Sequence, residues 1–150
     1  MLARDIMTEN VVTIEPEASV EEAAKILSEN NVSGLPVVEE NKLVGIISET
    51  DLIIKDKKLH FPDYINLLGG IIYLESHKKF EKEFKKYIAV KVKELMTEEV
   101  KTINPDTSEE DIATIMVEEN INRLPVVDEE GNLLGIVTRA DLLKNLAEKK

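Results

Sequence analysis

The residues LPVVEENKLVGII, at positions 35–47, recur with one inserted residue as LPVVDEEGNLLGIV, at positions 124–137. In both stretches two apolar, β-branched runs flank a short polar segment. This pattern predicts a hairpin of two buried strands. Gly131 supplies the turn in the second stretch.

The repetition extends well beyond the hairpin. Residues 5–40 align without a gap with residues 94–129, and the match resumes at Leu43 and Leu133. The chain is therefore an internal duplication. Two copies are too few for a solenoid, which needs about three or more repeats to stack. We therefore expect a pair of copies related by a pseudo-twofold axis.

A short strand and a helix are predicted ahead of the first hairpin. Val11 to Ile14 have the composition of a strand, which Pro16 interrupts. Ser19 and Glu22 then have the spacing of a capping box, and apolar residues follow at helical intervals until two asparagines. The chain should therefore enter a helix at Ser19.

The second copy repeats this order, with Ser108 and Asp111 at the helix start. After Ile47 and Val137 the pattern becomes helical again, which gives β-α-β-β-α in each copy. One copy is too small to bury both faces of a three-stranded sheet. The predicted fold is therefore α/β (α+β), with the two repeats packed around a shared core.

The two copies, at 1–55 and 93–150, are separated by an insert at 56–92 that neither repeats. The insert holds most of the aromatic residues, and residues 76–87 have the period and charge of an amphipathic helix. We expect a helical insert. It either packs on its own module or contributes to a dimer contact or to ligand-linked movement.

Composition excludes several kinds of site. The chain has no cysteine, and its two histidines, His60 and His77, are too isolated in sequence to form a zinc site. No apolar run is long enough to span a membrane, and the first residues do not resemble a signal peptide. We therefore expect a cytoplasmic protein with no metal, no cofactor and no membrane partner.

The net charge of −11 argues against nucleic acid as a partner, because phosphate backbones are bound by positive charge. Lysines are nevertheless concentrated in the middle of the chain. Such a run is usually a solvated surface. Binding that weakens steeply with added salt would indicate the alternative, nucleic-acid binding by this region.

A Gly-x-x-Ser/Thr-x-x-Asp motif ends the second hairpin strand of each copy. It consists of Gly45, Ser48 and Asp51, and of Gly135, Thr138 and Asp141. The glycine permits close backbone approach, the hydroxyl can bind an anion, and the acid can accept both ribose hydroxyls. The same spacing is that of a capping box, which would satisfy helix amides and bind no ligand. Spacing alone leaves both interpretations open.

The motifs together resemble the cystathionine-beta-synthase (CBS) domain. Each copy has Met-Thr, Thr-Ile-x-Pro, a capped helix, Leu-Pro-Val-Val and Gly-x-x-Ser/Thr-x-x-Asp-Leu in that order. A tandem pair of this kind resembles a Bateman module, and the resemblance covers nearly all the chain except the insert. It implies a non-catalytic regulatory module with two clefts between the repeats, which bind AMP, ADP, ATP or S-adenosylmethionine.

The resemblance also implies roles for individual residues. Asp51 and Asp141 would contact ribose, with Ser48 and Thr138 near the phosphates. The adenine region would comprise Thr13, Ile14, Val32, Ser33, Gly34 and Pro36 in one copy, and Thr102, Ile103, Ile121, Asn122 and Pro125 in the other. By analogy with family members, Asp141 would serve the cleft of residues 32–34, and Asp51 that of residues 121–123.

Arginines make the two copies unequal. Arg123 stands where the first copy has Gly34, and Arg139 lies inside the second motif. A guanidinium binds phosphate in a bidentate manner, so one cleft should hold phosphate better. Alternatively, Arg123 pairs with a surface glutamate and Arg139 faces solvent.

The sequence therefore predicts an allosteric sensor rather than an enzyme. It contains no cysteine nucleophile, Walker loop or dinucleotide fingerprint. Because the chain ends at Lys150, soon after the last helix, we expect its output to fall on a separate regulated protein, and we expect the module to form a homodimer. The competing hypothesis is a structural scaffold that binds no ligand, and retention of both acids and both hydroxyls argues against it.

Overall fold

The computed structural model describes residues 1–54 and 90–148, and only the backbone of residues 53 and 54. The predicted insert helix lies outside these residues. Within them, no helix has the length and apolarity needed to cross a bilayer. The chain divides into two compact units. Unit 1 comprises Met1–Val12, Val38–Val44 and Glu99–Lys150, and unit 2 comprises Thr13–Val37 and Gly45–Glu98.

Each copy begins with a short helix that the sequence did not predict, and the later elements follow the predicted order except that the first strand is reduced to one bridge. The first copy contains α1 (Ala3–Ile6), α2 (Val20–Asn30), β1 (Gly34–Glu39), β2 (Lys42–Ser48) and α3 (Glu49–Ile54). The second contains α4 (Val92–Leu95), α5 (Glu109–Glu118), β3 (Arg123–Val127), β4 (Leu133–Thr138) and α6 (Arg139–Glu148). The fold is α+β, with two small sheets.

Both predicted hairpins are present as two-stranded sheets. Glu40 and Asn41 connect β1 to β2 with φ of 51° and 68°, the left-handed conformation of a tight hairpin turn. β3 pairs with β4 in antiparallel register. Gly131 has φ of 89° in the connecting turn, a conformation that favours glycine.

The predicted helix starts are confirmed. The Ser19 Oγ accepts the Glu22 amide at 3.1 Å, and the Ser108 Oγ accepts the Asp111 amide at 3.1 Å. α2 ends at Asn30, as the two asparagines predicted, and Asn31 follows in the left-handed region at φ of 52°. Local cap chemistry therefore sets these boundaries.

The first strand of each copy is shorter than predicted. Instead of a strand over Val11 to Ile14, one parallel bridge joins Ile14 to Val37, and the second copy has the matching bridge between Ile103 and Val126. A proline follows two residues after each bridge. Proline has no amide hydrogen, so the ladder cannot continue through it after the bridge. Before the bridge, the Val11 amide donates to the Glu9 carbonyl at 3.0 Å and so makes a local bond instead of a ladder bond.

The N-terminal residues pack on the body of the second copy, within unit 1. The Ala3 amide donates to the Thr107 carbonyl at 2.8 Å, and Thr8 and Ile136 exchange backbone bonds of 2.9 and 3.0 Å. Arg4 forms an ion pair with Asp106. Ala3 is completely buried. The segment is therefore an integral part of unit 1.

The segment before the second copy packs in the same way on the body of the first, within unit 2. The Val92 amide donates to the Ala18 carbonyl at 2.8 Å, and Ile46 and Thr97 exchange bonds of 3.0 and 2.9 Å. The leading segments of the two copies are thus exchanged. Each compact unit combines segments of both copies, so the units do not test the predicted repeat boundaries at residues 55 and 92. Those boundaries stay a prediction.

Each unit has an apolar interior. In unit 1 the buried cluster consists of Ala3, Ile103, Ile112, Met116, Leu124, Val126, Val137 and Leu142. In unit 2 the buried apolar residues include Ile14, Val20, Ala23, Leu27, Leu35, Val37, Ile47, Leu52, Val92 and Leu95. Because residues from the exchanged segments appear in both sets, burial of apolar surface holds these segments in place. The predicted shared core stays a prediction.

Candidate functional site

The hydroxyl and acid of the first motif bond each other where β2 runs into α3. The Asp51 Oδ2 accepts the Ser48 amide at 2.9 Å and the Ser48 hydroxyl at 3.1 Å. In return, the Asp51 amide donates to the Ser48 Oγ at 3.4 Å. Asp51 is only 6% exposed. These reciprocal bonds form a capping box.

The second motif has the same geometry. The Asp141 Oδ2 accepts the Thr138 amide at 2.8 Å and the Thr138 hydroxyl at 2.9 Å, and the Asp141 amide donates to the Thr138 Oγ1 at 3.2 Å. Asp141 is partly exposed. Each bond that its carboxylate accepts from a described residue falls on Oδ2. The Asp141 carboxylate therefore caps α6 and still presents Oδ1 as an acceptor.

Each helix start is tied to the predicted adenine loop of its own copy. The Glu49 amide donates to the Ser33 carbonyl at 3.0 Å in unit 2, and the Arg139 amide donates to the Asn122 carbonyl at 2.9 Å in unit 1. The structure therefore brings hydroxyl, acid and loop together within each unit. The pairing of Asp141 with residues 32–34, and of Asp51 with 121–123, stays a prediction.

The Thr-Ile segments lie beside these loops. The Ile14 amide donates to the Pro36 carbonyl at 3.1 Å, and the Ile103 amide donates to the Pro125 carbonyl at 3.0 Å. Both isoleucines and both prolines are buried, whereas Thr13 is exposed. The side chains of Ile14, Pro36 and Pro125 belong to the interior, so a ligand could contact these residues only through neighbouring backbone. Ile103 is also buried but lines the groove of unit 1.

An open groove adjoins the predicted adenine region in each unit. The groove in unit 2 has a volume of about 420 Å³ and is lined by Leu27, Ser28, Asn31, Val32, Ser33 and Glu49. The groove in unit 1 has a volume of about 610 Å³ and is lined by Lys101, Thr102, Ile103, Asn104, Thr107, Asp111, Thr114, Ile115, Val127, Asp128 and Glu129. Both grooves have mixed polar and apolar walls, as a nucleoside needs.

Both arginines predicted to bind phosphate lie in unit 1. Arg123 is half-buried at the first residue of β3, and Arg139 is exposed at the first residue of α6. The remaining arginine, Arg4, pairs with Asp106. The described residues contain no group of three or more histidine, cysteine or acidic side chains arranged to hold a metal ion.

The motif glycines have a use that the sequence did not reveal. An added Cβ at Gly135 would lie 2.7 Å from the Met7 Sδ and 2.8 Å from the Thr8 carbonyl oxygen. At Gly45 the same atom would lie 2.7 Å from the Met96 Sδ. The glycines therefore admit the exchanged Met-Thr segments, which explains why Met-Thr recurs with them. In the sequence, the repetition of Met-Thr was the only sign that these residues pack against the glycines.

An ion cluster fastens the exchanged segment in unit 2. The Glu17 carboxylate accepts the Lys91 Nζ at 2.6 Å and the Lys93 Nζ at 2.8 Å. These charge-assisted hydrogen bonds lower the pKa of Glu17 from its usual 4.5 to about 2, and the bond from Lys91 has the larger effect. All three side chains are about half exposed, so the stabilisation is modest.

This cluster predicts a pH-dependent effect of Glu17→Gln. A carboxyl whose pKa falls on folding stabilises the fold above its unfolded pKa and loses that stabilisation as the pH falls through the folded pKa. Thermal denaturation should therefore show a lower midpoint for Glu17→Gln at pH 7 and a shrinking difference between pH 4.5 and 2. A difference that grows on acidification would contradict the assignment.

Similarity to known proteins agrees with this geometry. The CBS domain family model matches residues 3–57 and 92–148. An uncharacterized protein of Methanocaldococcus jannaschii, MJ1426, is 38% identical in an alignment of 156 positions that covers 97% of this chain and 91% of that protein.

Two solved structures carry adenosine compounds. The crystal structure of CBSX2 in complex with AMP, a protein of Arabidopsis thaliana, is 31% identical with a TM-score of 0.73, and the match covers 98% of this chain and 96% of that one. The CBS domain pair of MJ0100, in complex with 5′-methylthioadenosine and S-adenosyl-L-methionine, is 30% identical with a TM-score of 0.71, and the match covers 100% and 98%. These matches confirm the resemblance drawn from the motifs. The chain belongs to the CBS domain family and carries two copies of that domain in tandem.

Proposed function

We propose that this chain is a regulatory module that binds an adenosine-containing ligand and signals to a partner protein. The observation that carries the proposal is the hydroxyl–carboxylate pair found twice at a strand-to-helix junction, Ser48 with Asp51 and Thr138 with Asp141. AMP, 5′-methylthioadenosine and S-adenosyl-L-methionine in similar CBS pairs support an adenosine ligand.

In this proposal the acids bind the ribose. A carboxylate has two oxygens that together accept about four hydrogen bonds, so a cap on one oxygen leaves capacity for the two ribose hydroxyls. At Asp141 the acceptor is Oδ1, and the cap on Oδ2 holds it in one orientation. The capping box and the ribose contact are therefore compatible, and the cap preorganises the acid.

The predicted adenine loops complete the site. Their carbonyls, at Ser33 and Asn122, are already fixed by the amides that begin α3 and α6. A ligand that contacts either a loop or a helix start therefore binds backbone that is already held in place, and it orders little backbone on binding. Thr13 and Thr102 supply the polar edge beside each loop.

Signalling requires two arrangements of the module with different affinities for the ligand. A partner that recognises one arrangement would then respond to ligand concentration, and by linkage the partner would change ligand affinity by the same factor. The regulatory role, rather than catalysis, fits hydroxyls that bond an aspartate instead of a histidine base. A homodimer of the module remains part of the proposal.

A structural scaffold without a ligand is the second candidate. The capping boxes favour it, because helix capping alone accounts for the bonds between hydroxyl and acid. The two candidates differ in one respect. A scaffold needs the acid only as a hydrogen-bond acceptor, whereas ribose binding needs both carboxylate oxygens.

Isothermal titration calorimetry with AMP, ADP, ATP and S-adenosylmethionine tests the proposal, with Asp141→Asn as the informative variant. Asparagine retains one carbonyl oxygen for the cap, so the free energy of unfolding should change by less than roughly 0.5 kcal/mol. It loses the second acceptor, so ligand affinity should fall by about tenfold. Asp141→Ala should lose both the cap and the affinity. Asp51→Asn is the matched variant in unit 2.

Saturable binding that Asp141→Asn or Asp51→Asn weakens in a folded protein would establish the site. If none of the four compounds binds at millimolar concentration, the acids are helix caps only, and the scaffold is the function that the chain supports. If the compounds bind and both variants bind like the wild type, the acids are again helix caps only, and the ligand is bound by other residues.

A further inference from the structure

Two methionine sulfurs lie against the motif glycines, one in each exchanged segment. The Met7 Sδ lies 2.7 Å, and its Cγ 3.0 Å, from the position that an added Cβ would take at Gly135. Met96 has the same relation to Gly45, at 2.7 and 3.1 Å. Each thioether therefore fills the space that a side chain at its glycine would occupy.

The backbone on both sides of each sulfur is held by hydrogen bonds. In unit 1 the Met7 amide donates to the Ala3 carbonyl at 2.9 Å, and Thr8 and Ile136 exchange backbone bonds of 2.9 and 3.0 Å. In unit 2 the Met96 amide makes the corresponding bond at 2.9 Å. The Met7 side chain also packs against the buried cluster of unit 1. The backbone therefore cannot make room for a larger group at the sulfur without breaking these bonds.

The four methionines of the chain differ in their access to solvent. Met1 is 62% exposed and Met116 is 3% exposed, whereas Met7 and Met96 are partly exposed. Susceptibility of a sulfur to oxidation follows its exposure. The chain has no cysteine, so the methionines hold its only sulfur atoms. A dissolved oxidant should reach the two methionines that contact the glycines and should leave Met116 intact while the protein is folded.

A hydroperoxide converts an accessible thioether into a sulfoxide. The sulfur forms a bond to the terminal peroxide oxygen as the O–O bond breaks, and the proton of that oxygen passes to the departing oxygen. The sulfur loses two electrons, and the peroxide is reduced to an alcohol, or to water in the case of hydrogen peroxide. The reaction changes a flexible apolar side chain into a polar one.

A sulfoxide fits poorly in the space beside either glycine. The Thr8 carbonyl oxygen borders this space, 2.8 Å from the added Cβ at Gly135, and the Thr97 carbonyl oxygen lies 2.9 Å from the added Cβ at Gly45. A sulfoxide oxygen has no hydrogen to donate, so it cannot bond to these acceptors. Removing a polar oxygen from water without a donor is unfavourable. The oxidised side chain should therefore withdraw from the glycine and loosen its segment.

We infer that Met7 and Met96 are paired oxidation sites, at which a hydroperoxide releases the exchanged segments from units 1 and 2. Enzymatic reduction of methionine sulfoxide makes the release reversible. The inference does not depend on the proposed function, because neither methionine belongs to the predicted ligand residues.

Hydrogen peroxide treatment of the folded, full-length protein tests the inference. Peptide mass spectrometry measures the sulfoxide at each methionine, and urea denaturation followed by circular dichroism measures stability. Met7 and Met96 should be oxidised while Met116 stays reduced, and each of the two sulfoxides should raise the equilibrium constant for unfolding by about tenfold. Subsequent treatment with methionine sulfoxide reductases should restore the stability of the untreated protein.

Trypsin reports the release of each segment separately. Arg4 and Lys93 lie three residues before Met7 and Met96, inside the two exchanged segments. Proteolysis requires local opening of the backbone, so its rate follows the population of the released segment. Cleavage after Arg4 should become about tenfold faster when Met7 is oxidised, and cleavage after Lys93 should respond in the same way to oxidation of Met96.

Met7→Leu, Met96→Leu and the double variant are the matched controls. Leucine has a similar volume and no sulfur, so the exchange should cost little stability. Met7→Leu should abolish the effect of peroxide on cleavage after Arg4 and keep the effect at Lys93, and Met96→Leu should do the reverse. Met1 is still oxidised in the double variant, so unchanged stability there shows that oxidation away from the glycines has no effect.

Three results would overturn the inference. The first is that Met7 and Met96 stay reduced at a peroxide concentration that fully oxidises Met1. The second is that both are oxidised with no change in stability or in cleavage after Arg4 and Lys93. The third is an equal loss of stability in the peroxide-treated double variant, which would place the damage elsewhere in the chain.

Discussion

Replacing Gly135 with alanine is expected to lower the free energy of unfolding by about 1–3 kcal/mol. The added methyl would lie 2.7 Å from the Met7 Sδ and 2.8 Å from the Thr8 carbonyl oxygen, both inside van der Waals contact. The methionine side chain can rotate away, but the Thr8 carbonyl is fixed by its bond from the Ile136 amide. Relief therefore requires the exchanged N-terminal segment to move away from β4 within unit 1.

Urea denaturation followed by circular dichroism measures this change. Glu118→Ala, at an exposed position of α5, is the control and should change stability by less than about 0.5 kcal/mol. Gly45→Ala should show a cost similar to that of Gly135→Ala, because Met96 and Thr97 contact it in the same way. A loss for Gly135→Ala no larger than the control would show that the segment is not tightly held.

Asn145→Leu is expected to cost about 1–3 kcal/mol, because it removes a donor from a buried acid. The Asn145 Nδ2 donates to the Glu109 Oε1 at 2.7 Å, and each residue is 8% exposed. Leucine has a similar volume, so little of the cost arises from a cavity. The lost hydrogen bond to a group that water cannot readily reach dominates.

A double variant makes this prediction specific. Glu109→Leu combined with Asn145→Leu removes both partners, so it should be more stable than Asn145→Leu alone. Lys144→Leu, at the neighbouring exposed position of α6, should be close to neutral. Chemical denaturation of the four proteins measures both differences. Equal losses for Asn145→Leu and Lys144→Leu would contradict a role for the buried hydrogen bond.

The sequence predicted those parts of the fold that short-range chemistry determines. Ser19 and Ser108 cap their helices as expected, and the two hairpins follow from apolar runs around turn residues. Each of these features involves residues a few positions apart. The strand predicted at Val11 to Ile14 was too long, since only a single bridge forms there. Composition indicates which residues suit a strand, but it does not show whether a partner strand is available to pair with them.

The exchange of leading segments could not be predicted, because it joins residues far apart in the chain. Self-similarity identified Met7 and Met96 as equivalent but not the glycines that they contact. The candidate site could be predicted from the sequence only in part. Spacing predicted that Ser48 and Thr138 would lie near their acids, and it could not separate a helix cap from a ribose contact, since both require the same spacing.

The exchanged segments also constrain the order in which the chain can fold during synthesis. The contact of Arg4 with Asp106 cannot form until the ribosome has added Asp106, 102 residues later, and Glu17 likewise needs Lys91, 74 residues later. Contacts of such long range slow folding, because loop-closure entropy is lost before they form. Neither unit is complete when the first copy leaves the ribosome. The nascent first copy therefore exposes apolar surface, and with it a risk of aggregation, until the start of the second copy emerges.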